Sequence, residues 1–383
     1  MKRRILPLLL MVLSLGPRGG LAGQQVTVPL WRLPAAPVIT VGGADQPDVE
    51  LNRVGSLDLR DGRLLIANGD PPQLIVVDLN GTITRRLGRA GSGPGEFGRV
   101  GWAAFLGDTV VAFDAGSRRL IGFLPDGKPV TFPPVPSGGS GSLSLYLDGR
   151  LACGNWLAPS SYGIGGGDSR TSPVRDTMYV TLLSPGLERV VQRLGPFLGV
   201  ASMGFFVGEG SARSGVVGIS AFSPVTLSGV SDSMIYTMDT ATPDLDLWDC
   251  RGQRRSRITV PIPERPVTPS AVERVKQKEL AVSRVEMARR FVDTRYSAAN
   301  LPRVFPRVRS IVSGPGGELW LEQYEADPEA ASTWWVLALS GRVTARLQTP
   351  AGFRIKGVTR THVAGVHYDA DGVESIRVYR LSR

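Results

Sequence analysis

Lysine is scarce in this chain. It occurs only at positions 2, 128, 276, 278 and 356, and arginine supplies the rest of the 44 basic residues. Such a skew follows genome composition more often than phosphate binding. The arginines are also scattered and form no stripe, so nucleic acid is not an expected partner. Histidine is scarcer still. His362 and His367 stand at an odd spacing, which puts them on opposite faces of one strand, and no third histidine completes a metal site. The two cysteines, Cys153 and Cys250, match no metal or redox spacing. An exported chain could pair them, but two buried free thiols is the reading carried forward. No apolar run after the N-terminal leader approaches the length of a spanning helix, so the mature chain carries no expected transmembrane segment. A nucleophile elbow is missing, and the glycine run at 163–167 lacks the strand and helix that a phosphate loop needs.

The leader is well marked. Lys2, Arg3 and Arg4 precede an apolar stretch from Ile5 to Leu15, and small residues follow at Gly20 and Ala22. Residues 1–22 are therefore expected to be a signal peptide. The mature chain from residue 23 is expected to be periplasmic or secreted, and monomeric. The formal charge of the whole chain is +10, and four of its cations (Lys2, Arg3, Arg4, Arg18) lie in the leader.

Glycine and proline are plentiful, at 47 and 29 residues, which suits many short strands joined by turns. An internal repeat orders them. At a shift of 46 residues, Glu50 to Gly55 falls on Glu96 to Gly101 without a gap. Leu64 to Ile66 falls on Val110 to Ala112, Asn68 on Asp114, and Asn80-Gly81 on Asp126-Gly127. Each period holds four short strands, for example Gly55 to Leu59, Leu64 to Ala67, Leu74 to Leu79 and Ile83 to Leu87. Turns at Asp61-Gly62 and Asn80-Gly81 join them. Four antiparallel strands in 40 to 50 residues make about one propeller blade. Weaker copies begin near Asp148-Gly149, Asp232 and Gly316-Gly317, and a last copy stops after its third strand. Val38 to Val41 is expected to supply the missing strand and close the ring.

Three segments interrupt the period. Ala158 to Thr177 reads as a loop within the third unit, and Leu198 to Ser220 as a glycine-rich link to the fourth. Residues 268–300 read as a helical insertion between blades four and five. Thr268 caps it, Pro269 takes its first position, Ser270 to Glu273 forms a capping box, and one helix runs from Ala271 to Val292.

The stretch at 88–97, GRAGSGPGEF, resembles the link between blades in bacterial six-bladed β-propellers related to NHL repeats. The pattern around Val110 to Asp114 and Leu120 to Gly127 is similar to that group too, as is LPRVFP at 301–306. The resemblance implies an all-β, six-bladed propeller closed by the N-terminal strand. It implies interaction or scaffold roles most often, with lyases and lactonases as a minority.

The residue ending each second strand is polar in all six units: Asn68, Asp114, Asn155, Asp239, Gln323 and Asp369. They are candidates for a ligand-binding rim, set against the plain alternative that Asn and Asp make turns there. Asp244 and Asp246 share a strand face and, with Asp249, are the candidates for Ca²⁺, against a solvated face as the ordinary reading. Otherwise no cofactor is expected. The expected function is a non-catalytic module for an unknown protein or small ligand. The alternative is a metal-dependent hydrolase or lyase of lactonase type, with its site in the central channel.

Overall fold

The computed structural model describes residues 28–44, 46–136, 143–145, 147–162, 171–208 and 214–383. The leader lies outside the described residues. Among the described residues the chain is all-β apart from two α-helices and two short 3₁₀ turns. Among the described residues, six sheets have four strands or more.

Sheet one shows the plan. Strands Leu57–Arg60, Arg63–Gly69, Pro72–Asp78 and Ile83–Leu87 pair antiparallel in sequence order. Asp61 and Gly62 both take positive φ in the first turn, as does Gly81 in the last. The central two strands are Leu-, Ile- and Val-rich and buried on both faces; the fourth alternates and faces water. Sheet two repeats this with Val100–Leu106, Thr109–Asp114, Arg119–Phe123 and Pro129–Thr131. Sheet four uses Thr226–Ser231, Met234–Asp239, Asp244–Trp248 and Arg254–Thr259. Sheet five uses Val308–Ser313, Leu319–Gln323, Thr333–Leu337 and Val343–Gln348. Sheet six uses Phe353–Val358, His362–Tyr368 and Glu374–Arg380, and Ile39–Gly42 is its fourth strand. The N-terminal strand thus sits where the repeat called for one. A second piece, Leu30–Trp31, adds a parallel strand to the outer edge of sheet five.

The core is divided into apolar clusters between neighbouring sheets. Leu65, Leu74 and Val76 of sheet one meet Ala103, Val110 and Ile121 of sheet two. Further clusters join sheets two and three, three and four, four and five, and five and six. The last joins Val366, Ile376 and Val378 of sheet six to Leu64, Ile66 and Val77 of sheet one, so the order returns to its start. Each fully buried Leu, Ile or Val contributes about 1.5–3 kcal/mol relative to exposure.

Sheet three departs from expectation. Asp148-Gly149 is not a turn; Leu143–Leu145 and the short Gly149–Arg150 both pair Trp156–Tyr162, and the turn lies at 151–154. The third and fourth strands, Val174–Leu183 and Val190–Val207, are long, and Ser214–Ile219 hairpins back onto the latter. Within Leu198 to Ser220, expected as a link, residues 198–207 and 214–219 are therefore strand, and residues 209–213 lie outside the described residues. Residues 163–170, part of the expected loop, lie outside the described residues. Phe205, Val207 and Val217 lend the hairpin β propensity that its glycines obscure.

The insertion is two helices rather than one: α1 (Pro269–Val282) and α2 (Glu286–Arg295). Thr268 caps α1, its Oγ1 accepting from the Ala271 N–H, with Pro269 in the first turn. The capping box does not form, because Glu273 lies past the third helical position; its side chain takes a bond from Gln277 instead. Ser283 ends α1 and its Oγ donates back to the Glu279 carbonyl. The pair packs on Phe222, Phe305 and Tyr324 between sheets four and five, and α2 also touches the long hairpin of sheet three.

Cys153 and Cys250 form a disulfide. This corrects the expectation of free thiols. It ties the first turn of sheet three to the last turn of sheet four, positions 97 residues apart in sequence that only the sheet order brings together.

Candidate functional site

The stretch at 88–97 is a joint. It crosses from the outer strand of sheet one to the inner strand of sheet two and folds on itself, Arg89–Ala90 pairing Glu96–Phe97 in parallel. The Glu96 carboxylate fills the loop, accepting from Gly93 N and from Arg89 Nε, each at 2.9 Å. A Cβ on Gly91 would lie 2.1 Å from Glu96 Oε2, so glycine is needed there.

The six polar candidates fall into three groups. Asn68 and Asp114 are fully buried. Asn68 Oδ1 accepts from the Asn52 N–H, and its Nδ2 donates to the Glu50 and Pro71 carbonyls. Asp114 accepts from the N–H groups of Gly98, Arg99 and Gly116 and from the Ser117 hydroxyl. Burial alone would raise the Asp114 carboxyl, but the Ser117 hydroxyl and the three N–H groups outweigh it and hold it below the usual carboxylate range. Both residues spend their hydrogen bonds holding the incoming link. Asp239, Gln323 and Asp369 also end or follow second strands; Gln323 and Asp369 bind locally, whereas Asp239 also reaches Arg175 of sheet three. Asp239 accepts from Ala241 N and Arg175 Nη1, Gln323 from Trp335 Nε1, and Asp369 from Asp371 N and Val373 N. Asn155 stands apart. It precedes its strand rather than ending it, and its Nδ2 donates to the Cys250 carbonyl beside the disulfide. None of the six lines the main cavity.

The Ca²⁺ candidates are engaged with arginine. Arg257 forms two bonds to Asp246, at 2.8 and 2.9 Å, and lies 3.8 Å from Asp244; Arg255 pairs with Asp249. His362 and His367 do not share a site; His362 Nδ1 bonds the Thr361 hydroxyl. Among the described residues, no three His, Cys, Asp or Glu side chains converge as a metal site would need.

One cavity has a volume of about 890 Å³ and is lined by the first strands of sheets one, two, four, five and six and by Gly149–Arg150 of sheet three. These strands lie side by side. Leu57–Arg60 touches both Val100–Leu106 and Phe353–Val358, and Val308–Ser313 touches Thr226–Ser231 and Phe353–Val358. Three of them carry β-bulges; the extra residue is Gly101 in one and a cation in the other two. Arg309 falls between paired Val308 and Ser310, and Lys356 between paired Ile355 and Gly357. A bulge re-aims the side chain it carries.

Two polar clusters follow. The first centres on Glu322, which is buried. Its Oε1 accepts from Arg354 Nη1 at 2.6 Å and Ser332 Oγ at 2.7 Å, its Oε2 from Ser310 Oγ at 2.8 Å, and Arg309 Nε stands 3.8 Å away. The second brings together Asp148, Lys356 and Tyr236 from sheets three, six and four. Asp148 is open to the cavity yet surrounded by protein. Burial raises its carboxyl to about 7, against the opposing pull of the Lys356 ammonium. Burial likewise pushes the Lys356 amine down, with Glu322, Glu374 and Asp148 pulling it back up. Tyr236 is buried, its hydroxyl donates to the Ile311 carbonyl, and burial and Asp148 both raise its phenol. Among the described residues Lys356 makes no hydrogen bond and no ion pair within 4 Å.

None of Asp148, Tyr236, Arg309 and Lys356 was a sequence candidate. One signal was present. Lys356 is one of five lysines and interrupts the strand-like run FRIKGV at 353–358.

No family model matches the chain, and no curated protein does. Solved structures resemble it in chain path. A Bacteroides fragilis protein described as exported shares 9% identity, with 93% of this chain and 100% of that one covered and a TM-score of 0.48. Virginiamycin B lyase from Staphylococcus aureus gives 11%, 87% and 96%, and 0.41. Regucalcin from Agrobacterium tumefaciens, named as calcium-binding, gives 10%, 92% and 96%, and 0.45.

Proposed function

We propose that this chain is an exported, non-catalytic six-bladed β-propeller of NHL-related type that binds a small ligand in its central channel. The observation that carries the reading is the cavity of about 890 Å³ lined by inner strands of all six sheets, with the Lys356 ammonium, which has no partner within 4 Å among the described residues, inside it. That volume is within the range of small-molecule sites. Six sheets in a closed order of clusters support the propeller. Export is supported by the leader pattern and by a disulfide, which persists in oxidising compartments. In this reading, Asn68, Asp114, Asp239, Gln323 and Asp369 frame the mouth by holding its loops, and the ligand sits below them. The alternative, a metal-dependent hydrolase or lyase, would require carboxylates that converge; Glu322 is instead spent on Arg354, Ser332 and Ser310.

A plug tests the channel. Ala104 lines it and is half-buried. Ala104→Trp should keep the fold, checked by circular dichroism, and abolish the thermal shifts that small molecules from a metabolite library give the parent protein. Ligand shifts that survive the plug would move the site elsewhere. A stoichiometric, EDTA-removable divalent ion in the purified protein would favour the hydrolase.

A further inference from the structure

The channel's charges do not balance. Asp58, Asp148, Asp232 and Glu322 line it. So do five cations, and four of these have a partner. Arg354 is held by Glu322 and Ser332, Arg309 reaches the Glu325 carbonyl, and Arg60 lies 3.8 Å from Asp58. Arg150 donates to the Gly154 carbonyl and lies over Trp156. Of the five, Lys356 alone has neither a hydrogen bond nor an ion pair within 4 Å among the described residues. Phosphate and sulfate are bound best by open arginine forks or rows of backbone N–H groups, and the Arg354 fork is spent on Glu322, Ser332 and the Pro328 carbonyl. The walls between the charges are apolar. Leu59, Trp102, Val312 and Val358, from four different sheets, line the cavity half-buried.

Resting on the channel reading above, we infer that the ligand is an organic monocarboxylate with an apolar body, its carboxylate on Lys356 and its body against these walls. Asp148 adds a condition. It faces Lys356 from sheet six and Tyr236 from sheet four, with Arg150 on its own strand and Asp232 in the nearby turn of sheet four. Protonated, it leaves the ammonium to the ligand and can donate a hydrogen bond. Ionised, it competes for Lys356 and repels the anion. Its carboxyl is raised to about 7, so binding should weaken as pH rises through neutrality.

The probe is 1-naphthaleneacetate, titrated calorimetrically into the full mature chain beside 1-naphthaleneacetamide, which has the same shape and no charge. At about pH 6 the acetate should bind about tenfold or more tightly than the amide. Lys356→Met should erase that preference and Lys356→Arg should keep it. Asp148→Asn should hold the acetate's affinity level between about pH 6 and pH 8, where the parent loses about tenfold. Equal affinity for the two probes, a preference that survives Lys356→Met, or no acetate binding at all would each overturn the inference. If both probes bind alike and Ala104→Trp excludes both, the channel reading stands and only the carboxylate is lost.

Discussion

Asp114 and Lys356 are both charged, both face inward, and both end in chemistry that a ligand could use. They differ in what their polar atoms already touch. Asp114 receives three backbone N–H groups and one hydroxyl, and it is sealed from solvent. Lys356 stands on a bulge in an open cavity with no partner within bonding reach among the described residues. A buried charge whose bonds are filled belongs to the architecture, because removing it strands its partners. A charge whose bonds are empty is costly to keep and is available to something else. The rim and the channel divide along this line.

The sharpest way to break the comparison is Asp114→Ala. It leaves the N–H groups of Gly98, Arg99 and Gly116 without their carboxylate acceptor, and should cost about 3 kcal/mol in urea unfolding. A loss below about 1 kcal/mol would mean that the rim is not architectural. Cys153→Ser should have a cost of the same order, about 2–4 kcal/mol in the general range for such bridges, and reductant should reproduce the loss in the parent protein.

Asp148→Asn should act in the opposite sense. A carboxyl whose folded pKa is raised binds more protons when folded, so it opposes folding increasingly as pH rises from about 4 to about 7 and constantly above that. The asparagine variant should therefore melt higher than the parent at about pH 8, with the gain shrinking toward about pH 4. A gain independent of pH would detach Asp148 from this account. Smaller effects complete the series. Thr268→Ala should cost about 1 kcal/mol through the lost cap of α1. Asp369→Ala, which removes only two bonds within a solvent-facing turn, should cost less than about 1 kcal/mol.

The repeat at a shift of 46 was legible because its two copies perform the same bond. Asn68 accepts from the N–H of residue 52, and Asp114, 46 positions on, accepts from that of residue 98. The strands of sheet one were legible for the same reason that they are stable, since apolar runs end at Asp-Gly and Asn-Gly turns. Sheet three was not. Its long strands carry glycine at 195, 199, 204, 215 and 218, so composition argued for a loop while pairing made a strand. The break between α1 and α2 was hidden because the apolar positions (Val272, Val275, Leu280, Phe291) pack around a curved patch instead of along one stripe. The disulfide joins positions that local spacing cannot relate. The channel residues were invisible for a further reason. Arg309 and Lys356 reach the cavity through bulges, and a bulge is a property of two strands in register, which neither strand's own sequence displays.

The scarcity of lysine makes the central claim directly measurable. With the leader removed, reductive ¹³C-methylation would label Lys128, Lys276, Lys278, Lys356 and the new N-terminus, few enough to resolve by NMR. The account predicts that one signal, missing from Lys356→Arg, titrates below the other lysines and shifts when 1-naphthaleneacetate is added. A Lys356 signal that titrates with the others and ignores the ligand would contradict it.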